Sequence, residues 1–357
     1  MLGVGALLLN YLFGKFNGLY DVLYYKGIFQ AMRYVYDYTL GLIPIPMVYI
    51  LFFVVVQIIY KVISMKGIKQ CVSIPSKIGF VLLRLLSFVG GVIFFFYFLW
   101  GFNYKQTHLS DQLSLPEVSP DSTLLYERSM AVLDQMTTIR KRLSTDTIPL
   151  SKAYIPDDLE KSLRKGLVTS LDSWDLPTGG RVRVRSLAPK GILLRISTAG
   201  VYIPFVFEGH IDAGLHPIQV PFTMAHEMSH GYGLADEGTC NFTGFIACMQ
   251  SDNDFVRYSA YMSFWRYMAS NLSRSSKSLY KDMVRSMDKN VRRDLIAILD
   301  EMDKYPDILP EVRDKVYDTY LKSHGVAGGL SNYSKIVEMV FAWYESEHNE
   351  EMKGEVF

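Results

Sequence analysis

The segment Met224-Ala225-His226-Glu227-Met228-Ser229-His230 holds the residues best suited to chemistry. It reads His-Glu-x-x-His after an apolar lead-in from Val220 to Ala225. On an α-helix, His226 and His230 lie one turn apart on the same face, so both imidazoles can reach one metal ion. Glu227 stands beside them, where a carboxylate can take a proton from a water on that ion. The spacing predicts a zinc (Zn2+) site and, with it, peptide-bond hydrolysis. Gly231 and Gly233 follow the second histidine and suit the end of a short helix.

Two adjacent acids compete to be the third ligand. The run Glu237-Gly238-Thr239-Cys240-Asn241 opens a second helical segment that continues to about Met249. It resembles the Glu-x-x-x-Asp element of the gluzincin peptidases. That resemblance implies Glu237 as the third zinc ligand and Asn241 as the support of a ligand histidine. The Asn241 amide oxygen can accept an imidazole Nδ1–H, with less negative charge than an aspartate would bring. Alternatively, His-Glu-x-x-His-x-x-Gly-x-x-Asp ends at Asp236, which resembles a metzincin variant and would make Asp236 the ligand. The structural reading of Asp236 is a helix N-cap.

Zinc peptidases also use a donor that stabilises the oxyanion of the tetrahedral intermediate. Tyr320, His324 and Tyr333, around Gly325–Gly329, are the candidates, with Tyr258 and Tyr261 as further ones. The chain has 24 tyrosines, so packing is the default role for each. Glu208, His210, Asp212 and His216 cluster ahead of the motif; a turn after a strand explains them more simply than contact with substrate or metal.

These side chains need elements to hold them. Polar, proline-containing sequence from 103 to 119 suggests a juxtamembrane linker, and 120–357 a separate zincin-like domain. Within it, helices are expected over 120–143, 156–174, 220–230, 237–249, 254–272, 278–304, 309–323 and 333–346. Strands are expected over 181–185, 191–196 and 200–211. The fold class is α+β, mostly helical. Val201, Tyr202, Ile203 and Phe205 lie in the last strand candidate, just upstream of the metal helix. An edge strand there can pair with an extended peptide through backbone hydrogen bonds, and Pro204 suits an edge.

The first hundred residues are different. Leu42–Ile63 and Gly79–Phe102 are predominantly apolar and long enough to span roughly 30 Å of hydrocarbon as helices. Residues 2–16 form a shorter apolar segment, read as a possible first span. Arg84 sits near one end of its span, where it can snorkel. The intervening loop carries Lys61, Lys66, Lys69 and Lys77 and no acid, which places it in the cytoplasm and the C-terminal domain outside. Tyr20, Tyr24, Tyr25, Tyr34, Tyr36 and Tyr38 suit a membrane interface. The expected location is therefore the cytoplasmic (inner) membrane, multi-pass, with the lipid bilayer as one partner. A net charge of +1 gives no electrostatic case for nucleic acid. Cys240 and Cys248 lie eight residues apart on one helix, about 12 Å along its axis. That is too far for a disulfide with each other.

The chain as a whole resembles a bacterial family of membrane-anchored His-Glu-x-x-His proteins catalogued as a domain of unknown function. The resemblance rests on Tyr24-Tyr25-Lys26-Gly27-Ile28-Phe29, Gly41-Leu42-Ile43-Pro44 and Gly200-Val201-Tyr202-Ile203-Pro204-Phe205. It continues through Pro221-Phe222-Thr223, Asn241-Phe242, Tyr258-Ser259 and Val316-Tyr317-Asp318-Thr319-Tyr320-Leu321-Lys322. Members often read Glu-Asp-Glu-Ala-Asn-Phe where this chain has Glu237–Phe242, so Thr239 replaces a second Glu. The resemblance implies a membrane-anchored, gluzincin-like metallopeptidase and supplies no substrate. The expected function is hydrolysis of a peptide or protein substrate outside the cytoplasm, with Glu227 as general base. The alternative is a non-catalytic zinc-binding membrane scaffold or sensor. An intramembrane protease fits less well, because the motif lies far beyond the last apolar stretch and among polar residues.

Overall fold

Proline, serine and glycine set where the apolar helices begin and how closely they pack. The computed structural model describes residues 1–64, 67, 68, 71, 73–308, 310–324, 326 and 329–346. The chain forms two compact units: 1–106 with 179–181 and 203–208, and 107–178 with 182–202 and 209–357.

In the first unit, α1 (Leu2–Lys15) leads into a stretch of wide, π-type turns over Tyr20–Phe29 and then α2 (Gln30–Asp37). Next come α3 (Met47–Ile63) and α4 (Ile74–Leu99). The sequence suggested three spans, but among the described residues only α4 is long and apolar enough to cross a membrane. Its 26 residues rise about 39 Å. It opens at Ile74, earlier than expected, because Ser73 and Ser76 form a reciprocal capping box with a proline in the first turn. It ends at Leu99 rather than Phe102. The 17 residues of α3 rise only about 26 Å. Pro44 and Pro46 lack N–H groups and delay its start from Leu42 to Met47, whose own N–H donates to Glu208 Oε2 at 2.8 Å. The 14 residues of α1 are shorter still.

The surfaces of these helices are apolar. Phe52, Phe53, Leu83 and Leu86 are each more than 60% exposed. Arg84 Nη1 donates to the Lys61 and Val62 carbonyls at 3.1 and 3.4 Å, satisfying the open C-terminal end of α3. At the crossing of α1 and α4, a Cβ on Gly3 would lie 2.8 Å from Gly90 Cα. Tyr20, Tyr24, Tyr25 and Tyr36 are buried. Tyr20 donates to Asn103 Oδ1 at 3.1 Å and Tyr24 to the Phe98 carbonyl at 3.0 Å, so burial leaves these two hydroxyls satisfied. Tyr34 and Tyr38 are exposed. Lys66 and Lys69 of the expected cytoplasmic loop lie outside the described residues.

The second unit is mostly helical around a small mixed sheet. Its helices are α5 (Ser122–Leu143), α6 (Leu159–Ser173), α7 (Val220–Gly231), α8 (Glu237–Met249), α9 (Asp254–Ser275), α10 (Lys277–Ser286), α11 (Lys289–Asp303), α12 (Pro310–Ser323) and α13 (Lys335–Glu345). The expected linker is not loose, because Leu109 and Leu113 are buried. Asp121 caps α5, accepting from Leu124 N at 2.8 Å. The helix expected over 278–304 is two, since Asp288 caps a fresh start by accepting from Asn290 N at 2.8 Å. Leu309 lies outside the described residues.

The strands are β1 (Arg183–Leu187), β2 (Gly200–Ile203) and β3 (Glu208–Asp212), in the order β1-β3-β2. Asp212 N donates to the Ala199 carbonyl and Ala213 N to the Leu187 carbonyl, so β3 runs antiparallel to β2 and parallel to β1. The strand expected over 191–196 is absent. Asp212 draws that segment into a turn by accepting from the N–H groups of Gly191, Leu193 and Leu194 at 2.7, 2.7 and 3.1 Å. The strand expected over 200–211 is a hairpin, because Pro204 starts a tight helical turn through Val206.

The core of this unit contains one buried ion pair. Asp294, fully buried, accepts from Arg140 Nε at 2.7 Å, Tyr258 Oη at 2.8 Å and Leu150 N at 2.9 Å. Removing one partner leaves a buried charge uncompensated. Asp294→Ala should therefore lower unfolding stability by about 3–5 kcal/mol. Arg142→Ala, which breaks the half-exposed pair with Asp254, should cost less than about 1 kcal/mol. Denaturant titration of the two variants checks the contrast.

Candidate metal centre

α7 and α8 cross closely enough to present ligands to one point. Pro221 sits in the first turn of α7, and Phe222 N donates to Ser259 Oγ at 3.1 Å, tying α7 to α9. After His230 the chain reverses through Gly233, at φ 94°, a left-handed conformation that glycine adopts without strain. Asp236 then caps α8. Gly244 lets α8 lie against α7: a Cβ there would meet His226 N at 3.0 Å.

Three buried side chains converge as a result. His226 Nε2 lies 3.2 Å from His230 Nε2. Glu237 Oε2 lies 3.2 Å from the first and 3.3 Å from the second. Four-coordinate metals hold nitrogen and oxygen ligands at about 2.0–2.1 Å, which sets tetrahedral ligand atoms about 3.3 Å apart. The observed triangle has that edge length.

Hydrogen bonding fixes which ring nitrogens face inward. His226 Nδ1 lies 2.9 Å from Asn241 Oδ1. The Asn241 amide is oriented by its own donation to Tyr267 Oη at 3.2 Å and to the Tyr333 carbonyl at 3.0 Å. His230 Nδ1 lies 2.9 Å from the Leu234 carbonyl. Both Nδ1 atoms are therefore donors, and each neutral ring turns its Nε2 lone pair toward Glu237. Two inward-facing imidazole nitrogens and a carboxylate in a buried site form a donor set that could hold a cation. Burial opposes charge on Glu237, but the two imidazoles outweigh it and hold the carboxyl well below its usual range. Burial likewise disfavours the charged form of His230, yet its net shift is upward, with Glu237 among the causes. The donor set fits a metal ion: His226, His230 and Glu237 are buried, with ligand atoms all within 4.8 Å of one another.

The competing acid is committed elsewhere. Asp236 Oδ1 accepts from Thr239 N and Oγ1 at 2.8 and 3.0 Å, and Oδ2 accepts from Asn332 Nδ2 at 2.8 Å. Thr239 thus completes a helix cap. Cys240 Sγ lies 3.3 Å from His230 Nδ1. Burial pushes its thiol up to about 12, which keeps it neutral and a poor ligand.

Glu227 is buried, and its Oε2 has no hydrogen-bond partner among the described residues. Burial pushes its carboxyl up to about 7, against the pull of His226 and His230. β2 and β3 make room for it with glycine. A Cβ on Gly200 would lie 2.5 Å from Glu227 Oε1, and one on Gly209 would lie 2.9 Å from Glu227 Cβ.

Of the expected strand residues, Val201, Tyr202 and Ile203 lie on β2 at the sheet edge, while Phe205 lies beyond it, in the turn after Pro204. The Tyr202 ring is 6.5 Å from that of His230. Tyr333 is at the centre, its ring stacked on His226 at 6.4 Å. The Tyr320 ring stacks on Tyr317 at 6.0 Å. The Tyr320 and His324 rings pack together at 4.5 Å, and His324 Nδ1 lies 2.8 Å from the Tyr320 carbonyl. Tyr258 serves Asp294. In the cluster ahead of the motif, Asp212 gathers backbone N–H groups, His216 Nδ1 caps a turn by accepting from Ile218 N at 3.4 Å, and Glu208 accepts from Met47. Burial first, and then Arg185, push His210 down to about 4.

Three residues at the centre had no individual signal in the sequence. Tyr317 Oη donates to Glu237 Oε1 at 2.9 Å and lies 3.1 Å from Tyr333 Oη. Asn332 Oδ1 accepts from Gly238 N at 2.8 Å, and Tyr267 holds Asn241. Only Tyr317 stood in a quoted motif, Val316–Lys322.

The chain belongs to the family described as "Protein of unknown function (DUF3810)", whose model matches residues 24–341. No curated protein and no solved structure matches it.

The two acids have separable roles. Wild-type chain should bind about one metal ion, and Glu237→Ala should lose it. Asp236→Ala should keep the ion and cost about 1 kcal/mol through the lost helix cap. Metal content after gel filtration, together with thermal unfolding, checks both.

Proposed function

We propose that this protein is a membrane-anchored zinc metallopeptidase with a zincin-like catalytic unit outside the cytoplasm. The observation that carries this reading is the buried His226–His230–Glu237 triangle with the Glu227 carboxylate beside it. Two imidazoles and a carboxylate at tetrahedral spacing suit zinc. When bound, the ion would supply Lewis acidity to a water and to the scissile carbonyl.

The chain's own residues do the rest. Glu227 accepts the proton of the attacking water and later returns it to the leaving amine. Its buried setting favours both steps, because a carboxyl pushed up to about 7 exchanges protons readily near neutral pH. An extended peptide adds beside β2, an outer strand of the sheet, through main-chain hydrogen bonds that do not depend on peptide sequence. Gly200, at the start of that strand, sets the paired peptide beside Glu227. The membrane arm rests on α4, with α1 and α3 as shorter apolar helices, in a multi-pass arrangement. Lys61 and Lys77 mark the cytoplasmic side by the positive-inside rule.

Glu227→Gln should retain the metal and lower turnover by about 10²–10⁴-fold. A panel of peptides, read by mass spectrometry with wild type and variant side by side, checks it. Equal products from the two would favour a non-catalytic zinc-binding scaffold. Gly200→Ala should also keep the metal, but displace Glu227 and reduce kcat more than it raises KM; steady-state kinetics on the best panel peptide measures the split.

A further inference from the structure

Resting on the metallopeptidase reading of this centre, we propose that Tyr317 is a positioning residue that restricts Glu237 to one ligating oxygen. The two oxygens of Glu237 are already divided. Oε2 faces the Nε2 atoms of His226 and His230 at 3.2 and 3.3 Å. Oε1 accepts from Tyr317 Oη at 2.9 Å.

The proton direction in this bond is fixed. An ionised carboxylate only accepts, so Tyr317 spends its single O–H on Glu237. The 3.1 Å contact between the two tyrosine hydroxyls then has Tyr333 as donor and Tyr317 as acceptor. Tyr333 thereby polarises the Tyr317 hydroxyl and strengthens its bond to Glu237. The arrangement completes a pattern in which every ligand is held from behind: His226 by Asn241, His230 by Leu234 and Glu237 by Tyr317. Such supports orient ligands and tune the metal. With Oε1 engaged, Glu237 offers one oxygen, and a fourth coordination position stays available for water or substrate. Without Tyr317, Oε1 is free to rotate in as a second ligand atom and crowd that position.

The test uses the full chain in detergent, loaded with Co²⁺ in place of zinc, because visible Co²⁺ absorption weakens as coordination number rises above four. Tyr317→Phe should bind Co²⁺ with clearly weaker absorption than wild type, and chelator competition should show affinity about 10–100-fold lower. Tyr320→Phe, in the neighbouring ring stack, should match wild type in both. An unchanged spectrum and affinity in Tyr317→Phe would overturn the positioning role while leaving the metal centre intact. A wild-type chain that takes up no Co²⁺ would overturn the metal reading itself. A second measurement does not depend on the variant folding. In the infrared difference spectrum between loaded and metal-free wild type, the carboxylate stretches should be widely separated, as for one-oxygen binding; a narrow separation would refute the proposal.

Discussion

Three Lewis-basic atoms face one another in a buried site, and much of the second unit is arranged to keep them there. Two imidazole lone pairs and a carboxylate oxygen at 3.2–3.3 Å would repel without positive charge among them. In water such a cluster would fly apart. Here it is held by backbone: the reversal at Gly233, the close crossing at Gly244 and the cap at Asp236 fix the starting points of all three side chains. The hydrogen bonds behind them then fix the orientations. The donor set is thus assembled by the fold, and a metal ion bound there would draw on folding free energy.

Burial has opposite consequences for neighbouring groups. Glu237 is buried yet strongly acidic because two imidazoles face it. Glu227, close by and equally buried, keeps an unpartnered oxygen and is pushed up to about 7. Two neighbouring buried carboxyls are therefore shifted in opposite directions by what faces them. Cys240 illustrates the same rule: beside His230, it remains a neutral thiol because burial dominates.

The first unit has a different surface. Its helices expose phenylalanine and leucine, while Tyr20, Tyr24 and Asn103 are buried with hydrogen-bond partners. That inversion of the usual soluble pattern agrees with an apolar surrounding for α4, the helix of spanning length. Close contact through Gly3 and Gly90 is the packing that small residues permit where no hydrophobic force drives helices together.

The sequence by itself determined the local parts of this protein. The His-Glu-x-x-His spacing depends only on helical periodicity, so His226, Glu227 and His230 were legible at once, as were the bounds of α8 and the mostly helical α+β class. It also exposed the apolar N-terminal third, though not the true helix lengths, because proline pairs and capping serines shift ends by several residues. Tertiary structure decided what depends on contacts between distant residues. Asp236 and Glu237 are adjacent acids, and sequence alone left the choice between them open. The structure separates them because one carboxylate is consumed by a helix cap and Asn332 while the other points between two imidazoles. Tyr317, Tyr267 and Asn332 were not picked out for the centre because they reach it from 26 to 94 residues away along the chain, a distance no local pattern encodes. The strand expected at 191–196 failed for the same reason: a single carboxylate, Asp212, draws that segment's N–H groups into a turn, and only the fold brings it there.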